Sequence, residues 1–84
     1  MNSREAPRRL GEALRARRKS QGLSQLEVCD LAGVGPAFLY QLEHGKPTVR
    51  MDKVLAVLSV LGLGFEVRDS HEALTVAPIS GEEG

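Results

Sequence analysis

Within the stretch GLSQLEVCDLAGVGPAFLYQLEHGKPT, residues 22–48, the chain is punctuated so tightly that few folds can accept it. Ser24 is a strong helix N-cap, and Glu27 stands three residues on. In that S-x-x-E spacing the hydroxyl and the carboxylate each satisfy a backbone N–H that the first helical turn leaves orphaned. A helix is therefore predicted from Gln25 to Ala32, with Val28, Cys29 and Ala32 on its inner side. Gly33 and Val34 make a turn, the glycine accepting positive φ and the valine plugging the angle between helices. Gly35 caps the next helix and Pro36 occupies its first turn, where a missing N–H costs nothing. Leu39 and Leu42 face inward with Phe38 at the edge. Ala37, Tyr40, Gln41 and His44 face out until Gly45 stops the helix. Two short helices on a glycine turn result, and the flanks must hold them.

The flanks read as supports. Residues 1–8 form a flexible arm, and a first helix runs from Pro7 or Arg8 to Ser20, with Gly22 just past its end. Leu10, Ala13 and Leu14 share a face, and Arg17 falls on it, where it must snorkel out or find an acidic partner. Arg15, Arg18 and Lys19 point elsewhere. After a short loop at Lys46–Val49, a fourth helix spans Met51–Leu61. Its core face is Met51, Val54, Leu55, Leu58 and Leu61, with Val57 on the flank. Ala56 and Val60 lie opposite, so this helix is apolar nearly all round and calls for a second buried surface.

Leu63 to Arg68 then alternates with period two, which is a strand. A lone strand is unstable in water. The simplest partner is the same strand of a second copy, closing a two-fold homodimer through Val57, Val60, Leu63, Phe65 and Val67. A hairpin with residues 73–77 is the rival, disfavoured by the polar residues between and by Pro78. The expected fold is all-α: four helices with a C-terminal β-strand pairing across a homodimer, over residues 9–68. Residues 69–84 form an acidic disordered tail.

Charge sharpens this. The net charge is zero over 84 residues, yet residues 1–20 carry seven cations against two anions, and residues 69–84 carry four anions and no cation. The folded part is thus basic and suited to an anionic polymer. A single cysteine excludes an intrachain disulfide and a multi-cysteine zinc site, and Cys29 reads as packing because no His or Lys neighbours it. No apolar run reaches membrane-spanning length. His44 and His71 stand alone, and Gly62-x-Gly64 follows a helix and forms no phosphate loop, so no enzyme, metal, nucleotide or other cofactor is expected. The expected location is the cytoplasm, at the nucleoid.

The chain resembles the phage-repressor-like (XRE/Cro/CI) helix-turn-helix family. The matching residues are L-x-x-x-R-x-x-x-G-L-S-Q (Leu14, Arg18, Gly22–Gln25), A-G-V (Ala32–Val34) and F-L-x-Q-L-E-x-G-K (Phe38–Lys46). Gly45–Leu63 followed at once by a strand is similar to the HipB-like antitoxins. The resemblance implies a homodimeric transcriptional repressor that puts its third helix in the major groove of double-stranded DNA, on a palindromic operator. Family practice implies phosphate contacts at Gln25, with Ser24 capping beside it, and in the loop around His44, Lys46 and Thr48, and base contacts from Gly35, Pro36, Ala37, Tyr40 and Gln41. It also implies that Arg18 and Glu43 form a structural pair tying the first helix to the third. In an antitoxin the protein partner would be a HipA-like kinase toxin, and the pair would autoregulate its operon.

Independent physical reasons point the same way. Helix N-termini at Ser24 and Gly35 offer N–H groups to phosphate. Gln41 can pair bidentately with adenine, Tyr40 can hydrogen-bond a base or stack on a thymine methyl, and Lys46, Arg50 and Arg15 can neutralise phosphates. Pro36 cannot hydrogen-bond a base, so reading shifts to Tyr40, Gln41 and DNA shape. Two alternatives remain open. One is a solitary XRE-type regulator with no toxin partner. The other is a chiefly protein-neutralising module with weak DNA binding, using its apolar surface or acidic tail.

Overall fold

The computed structural model describes residues 4–67, 69 and 75–78. Four helices come first: α1 (Glu5–Ser20), α2 (Gln25–Ala32), α3 (Pro36–Glu43) and α4 (Met51–Val60). Two short strands follow, β1 (Leu63–Glu66) and β2 (Thr75–Pro78).

α1 starts earlier than the sequence suggested. Glu5–Arg8, assigned to a flexible arm, are helical, and residues 1–3 lie outside the described part. Glu5 complements the positive end of the helix, and exposed i,i+4 ion pairs (Glu5–Arg9 at 3.2 Å, Arg8–Glu12 at 3.3 Å) add a few tenths of a kcal/mol each, ~0.3–0.5. The inner face of α1 is Leu10, Gly11, Leu14 and Arg18, whereas Ala13, expected inside, is exposed. Gly11 explains the rotation. A Cβ there would lie 2.5 Å from the Leu42 carbonyl oxygen and 2.6 Å from that of Glu43, so the bare glycine lets α1 rest directly on the end of α3.

Arg17, half-buried, pairs with a backbone carbonyl and not with an acidic side chain. Its Nε donates to the Leu61 carbonyl at 2.9 Å, and Gln21 Nε2 donates to the same oxygen at 3.2 Å. A cation there sits at the negative end of α4 and supplies donors to a carbonyl the helix leaves orphaned.

α2 and α3 form where the local signals put them. The capping box at α2 is complete, with Ser24 N–H donating to Glu27 Oε1 at 2.7 Å and Glu27 N–H to Ser24 Oγ at 3.1 Å. Gly33 is left-handed (φ 71°), and Val34 is buried in the angle it creates. Gly45 (φ 81°) ends α3 and also passes within 2.9 Å, measured from a notional Cβ, of the Arg8 backbone, so no other residue fits there without a shift.

α4 turns a different stripe inward from the one expected. Val54, Val57, Leu58 and Leu61 are at most 1% exposed, while Met51 is 58% and Leu55 47% exposed. The helix packs against α2 and β1 together, and the i, i+3, i+4, i+7 set faces both. Val57, expected at a partner interface, is thus sealed in the protein's own core. Leu63, also expected there, is buried; Val60 and Phe65 are half-buried, and Val67 is exposed.

β1 finds its partner within the chain. It pairs antiparallel with β2 in the register Leu63↔Pro78, Gly64↔Ala77, Phe65↔Val76, Glu66↔Thr75. Within the chain the ladder closes as a hairpin, the rival pairing, and part of the tail expected to be disordered is strand. Pro78 occupies the terminal pair of a two-stranded sheet, a position where a missing N–H is tolerated. The rest of the predicted tail, apart from Asp69, lies outside the described residues.

Candidate nucleic-acid interface

The inner side of α3 is locked by a buried polar clamp. Arg18 on α1 donates through Nε to Glu43 Oε2 (2.7 Å) and through Nη2 to Glu43 Oε1 (3.0 Å), and its Nη1 donates to the Leu23 carbonyl (2.9 Å). Gln25 Nε2 also donates to Glu43 Oε1 at 3.0 Å. One carboxylate thus ties α1, the start of α2 and the end of α3, and among the described residues no buried side-chain polar atom lacks a partner. Burial alone would raise the Glu43 pKa. Hydrogen bonds from Arg18 and Gln25, with the charges of Arg18 and Arg15, outweigh it and hold the carboxyl below its usual range. The Arg18–Glu43 pairing implied by the family resemblance is present. Cys29 is buried and its thiol is pushed up by desolvation, then by Asp30 and Glu43, which suits packing and not reactivity.

The outer side of α3 carries the expected readers in the open. Ala37, Tyr40, Gln41 and His44 are all exposed. Tyr40 and His44 stack at 3.9 Å between ring centroids, and His44 Nδ1 lies 2.8 Å from the Tyr40 carbonyl oxygen. Since that oxygen only accepts, Nδ1 carries the proton in this contact. Lys46 Nζ sits 3.3 Å from Gln41 Oε1. Phe38 instead packs inward beneath Lys53, whose ammonium is 5.7 Å from the ring centre.

The two helix N-termini differ. At α2 the capping box engages the N–H of Ser24 and Glu27, and the Glu27 carboxylate stands where an anion would approach. Its pKa is lowered by the Ser24 backbone N–H and hydroxyl. Gln25, expected at a phosphate, has its amide turned toward Glu43. At α3 Gly35 offers no side-chain cap and Pro36 has no N–H, so the orphan donors begin at Ala37. Gly35, Pro36, Lys46, Thr48 and Arg50 are exposed. Arg50, expected to neutralise phosphate, is already held by Asp52 through two contacts of 2.6 and 3.1 Å.

Two cations of α1 join this face, Arg15, expected to neutralise phosphate, and Lys19, outside the predicted set. Arg15 and Lys19, one turn apart on α1, line an open groove with Ser24, Gln25, Leu26, Tyr40 and His44. They also line a second groove along α1 that ends at Glu43 and His44. Among the described residues neither has an ion-pair partner, unlike Arg8, Arg9, Arg18 and Arg50. Their i,i+4 spacing was legible in the sequence; that this edge of α1 borders α3 required the packing. Leu26, 63% exposed beside Tyr40, had no sequence signal beyond its place in the first turn of α2. No cluster of three metal-ligating side chains occurs among the described residues, and no described helix is long and apolar enough to cross a membrane.

Residues 9–70 match the family model for a helix-turn-helix domain. A protein of Sinorhizobium fredii (strain NBRC 101917 / NGR234) described as an uncharacterized HTH-type transcriptional regulator, y4mF, is 43% identical over 63 residues, covering 75% of this chain and 83% of that one. Among solved structures, the clp gene regulator ClgR from Corynebacterium glutamicum is similar, with a TM-score of 0.60 and 34% identity over 74% of this chain. The match spans 63% of ClgR, so this chain covers less than two thirds of that regulator's length.

Proposed function

This chain belongs to the helix-turn-helix domain family and is an XRE-like, non-enzymatic HTH-type transcriptional regulator; from that premise we propose that it is a sequence-specific repressor of double-stranded DNA, reading a palindromic operator as a homodimer. The observation that carries this reading is the contrast across α3. Its inner face is fixed by Leu39, Leu42 and the Glu43 clamp, while Tyr40 and Gln41 stand exposed beside two unpaired cations on α1. A rigid helix with open polar side chains and flanking positive charge suits the major groove, where Gln41 and Tyr40 meet base edges. Arg15 and Lys19 would flank it with positive charge for the phosphates.

In a dimer the two α3 helices would sit about one DNA turn apart, ~34 Å. The test is footprinting on the protein's own promoter together with sedimentation of the full chain. A protected palindrome and a dimer in solution support the reading. A monomer that binds the same site with undiminished affinity removes the dimer from it, and absence of any protected site removes the operator.

A second reading, the HipB-like antitoxin, is favoured by apolar surface left outside the core. Met51 and Leu55 lie one turn apart on the exposed side of α4, and Val67 is 89% exposed. That row suits a protein partner, here a HipA-like kinase toxin. Stoichiometric co-purification with a kinase encoded beside the gene supports it, provided that Leu55→Glu abolishes the complex. Without such a complex, a solitary regulator is the better reading.

A further inference from the structure

We propose that Lys46 decides which base Gln41 reads, by occupying the glutamine carbonyl and turning the preference at that base pair from adenine to guanine. The inference rests on α3 lying in the major groove and deepens that reading to a specific base.

The contact is the 3.3 Å approach of Lys46 Nζ to Gln41 Oε1, between two exposed side chains. An ammonium has three donors and no acceptor, so it can meet only the oxygen of the amide and never the NH2 group. The backbone keeps Lys46 in reach. After the left-handed Gly45, the Lys46 N–H donates to the Gln41 carbonyl at 3.0 Å, folding the loop back over the last turn of α3. Lys46 therefore starts beside Gln41, with its stem directed along the same outer face.

The consequence is a change of hydrogen-bonding character. A free glutamine offers one acceptor and one donor group, which matches the N6 donor and N7 acceptor of adenine in the major groove. With its oxygen engaged by Lys46, the pair presents an NH2 and an ammonium, which are donors only. Guanine presents N7 and O6, both acceptors, and is the one base edge that accepts two donors side by side. A lysine holding only a phosphate would leave the amide free and the preference at adenine.

The experiment is selection of duplex DNA from a random library by the full-length protein, followed by affinity measurements on the selected site. It compares the unsubstituted chain with Gln41→Ala, which identifies the base pair concerned, and with Lys46→Met, which keeps the stem and removes the ammonium. Because Lys46 is exposed, circular dichroism should show the Lys46→Met fold intact. Guanine is expected at that pair in the unsubstituted protein. Lys46→Met should shift it to adenine, changing the guanine-to-adenine affinity ratio about fivefold or more, the lower bound for one bidentate base contact. Two outcomes overturn the inference while leaving the DNA reading in place. One is adenine or no preference in the unsubstituted protein. The other is a Lys46→Met variant that keeps guanine and merely binds every sequence more weakly, with a shallower salt dependence, as loss of a phosphate contact would produce. A library that yields no selected sequence at all overturns the DNA reading itself.

Discussion

The two sides of α3 share one short helix and obey opposite rules. On the inner side Leu39 and Leu42 are at most 2% exposed, and Glu43 accepts three hydrogen bonds from two other elements. On the outer side Ala37, Tyr40 and Gln41 are all exposed, and the side-chain partners of Tyr40 and Gln41 are His44 and Lys46, at the end of the helix and in the loop after it. Close packing and a satisfied buried charge fix where the helix lies; solvent exposure keeps the readers available. Substitutions on one side should therefore register as stability and those on the other as DNA recognition.

The sharpest way to break that division is Glu43→Ala. It leaves the Arg18 guanidinium buried without its carboxylate, which costs about 3–5 kcal/mol and is measured by urea denaturation. A loss under ~1 kcal/mol would show the clamp to be dispensable. The same residue sets an acid dependence. Its pKa is depressed in the folded protein, so its contribution is complete above the unfolded-state value and disappears as pH falls through the folded one. Stability should decline on acidification through and below the ordinary carboxylate range, and Glu43→Gln, though less stable at neutral pH, should decline less steeply.

Gly11→Ala tests the inner side from α1. Alanine ordinarily favours a helix over glycine by ~1 kcal/mol, but here its Cβ would press on two backbone carbonyls of α3 that cannot rotate aside. A net loss of about 1–3 kcal/mol in thermal unfolding is expected. A gain in Tm would mean that α1 does not rest on α3 as closely as described.

On the outer side, Gln41→Ala should leave stability within about ±0.5 kcal/mol and yet cost ~1–3 kcal/mol of discrimination at one base pair in a binding titration. Unchanged operator discrimination would move the reading elsewhere on α3. The smallest effect belongs to Lys19→Ala or Arg15→Ala. Each should weaken binding evenly across sequences and lower the slope of log affinity against log salt by about one, with no change at any base pair. A slope that stays put would place the DNA backbone away from this edge of α1.

How much was legible depends on how far each interaction reaches along the chain. The bounds of α2 and α3 were legible because Ser24 with Glu27, Gly33, Gly35 with Pro36, and Gly45 act within a few residues of themselves. The outward set on α3 followed from them. The family motif implied Arg18–Glu43, but not that Gln25 would share the carboxylate and so be drawn from the phosphate role expected of it. Arg15 was expected at phosphate and Lys19 was visible only as a free cation; that both border the readers was not legible, since their neighbours in space come from α2 and α3.

By itself, then, the sequence determined a helix-turn-helix with Tyr40 and Gln41 facing out, because capping, turn geometry and helical period are local. Tertiary structure decided the rest. α4 is apolar nearly all round, so its period allowed Met51 and Leu55 in the core as readily as Val57; simultaneous contact with α2 and β1 made the choice. A bare Gly11, rather than Ala13, faces α3 because two backbones meet there. Arg17 caps α4 from 44 residues away, and β1 pairs with β2 of its own chain. These outcomes turn on which surfaces meet, and spacing along the chain does not encode that.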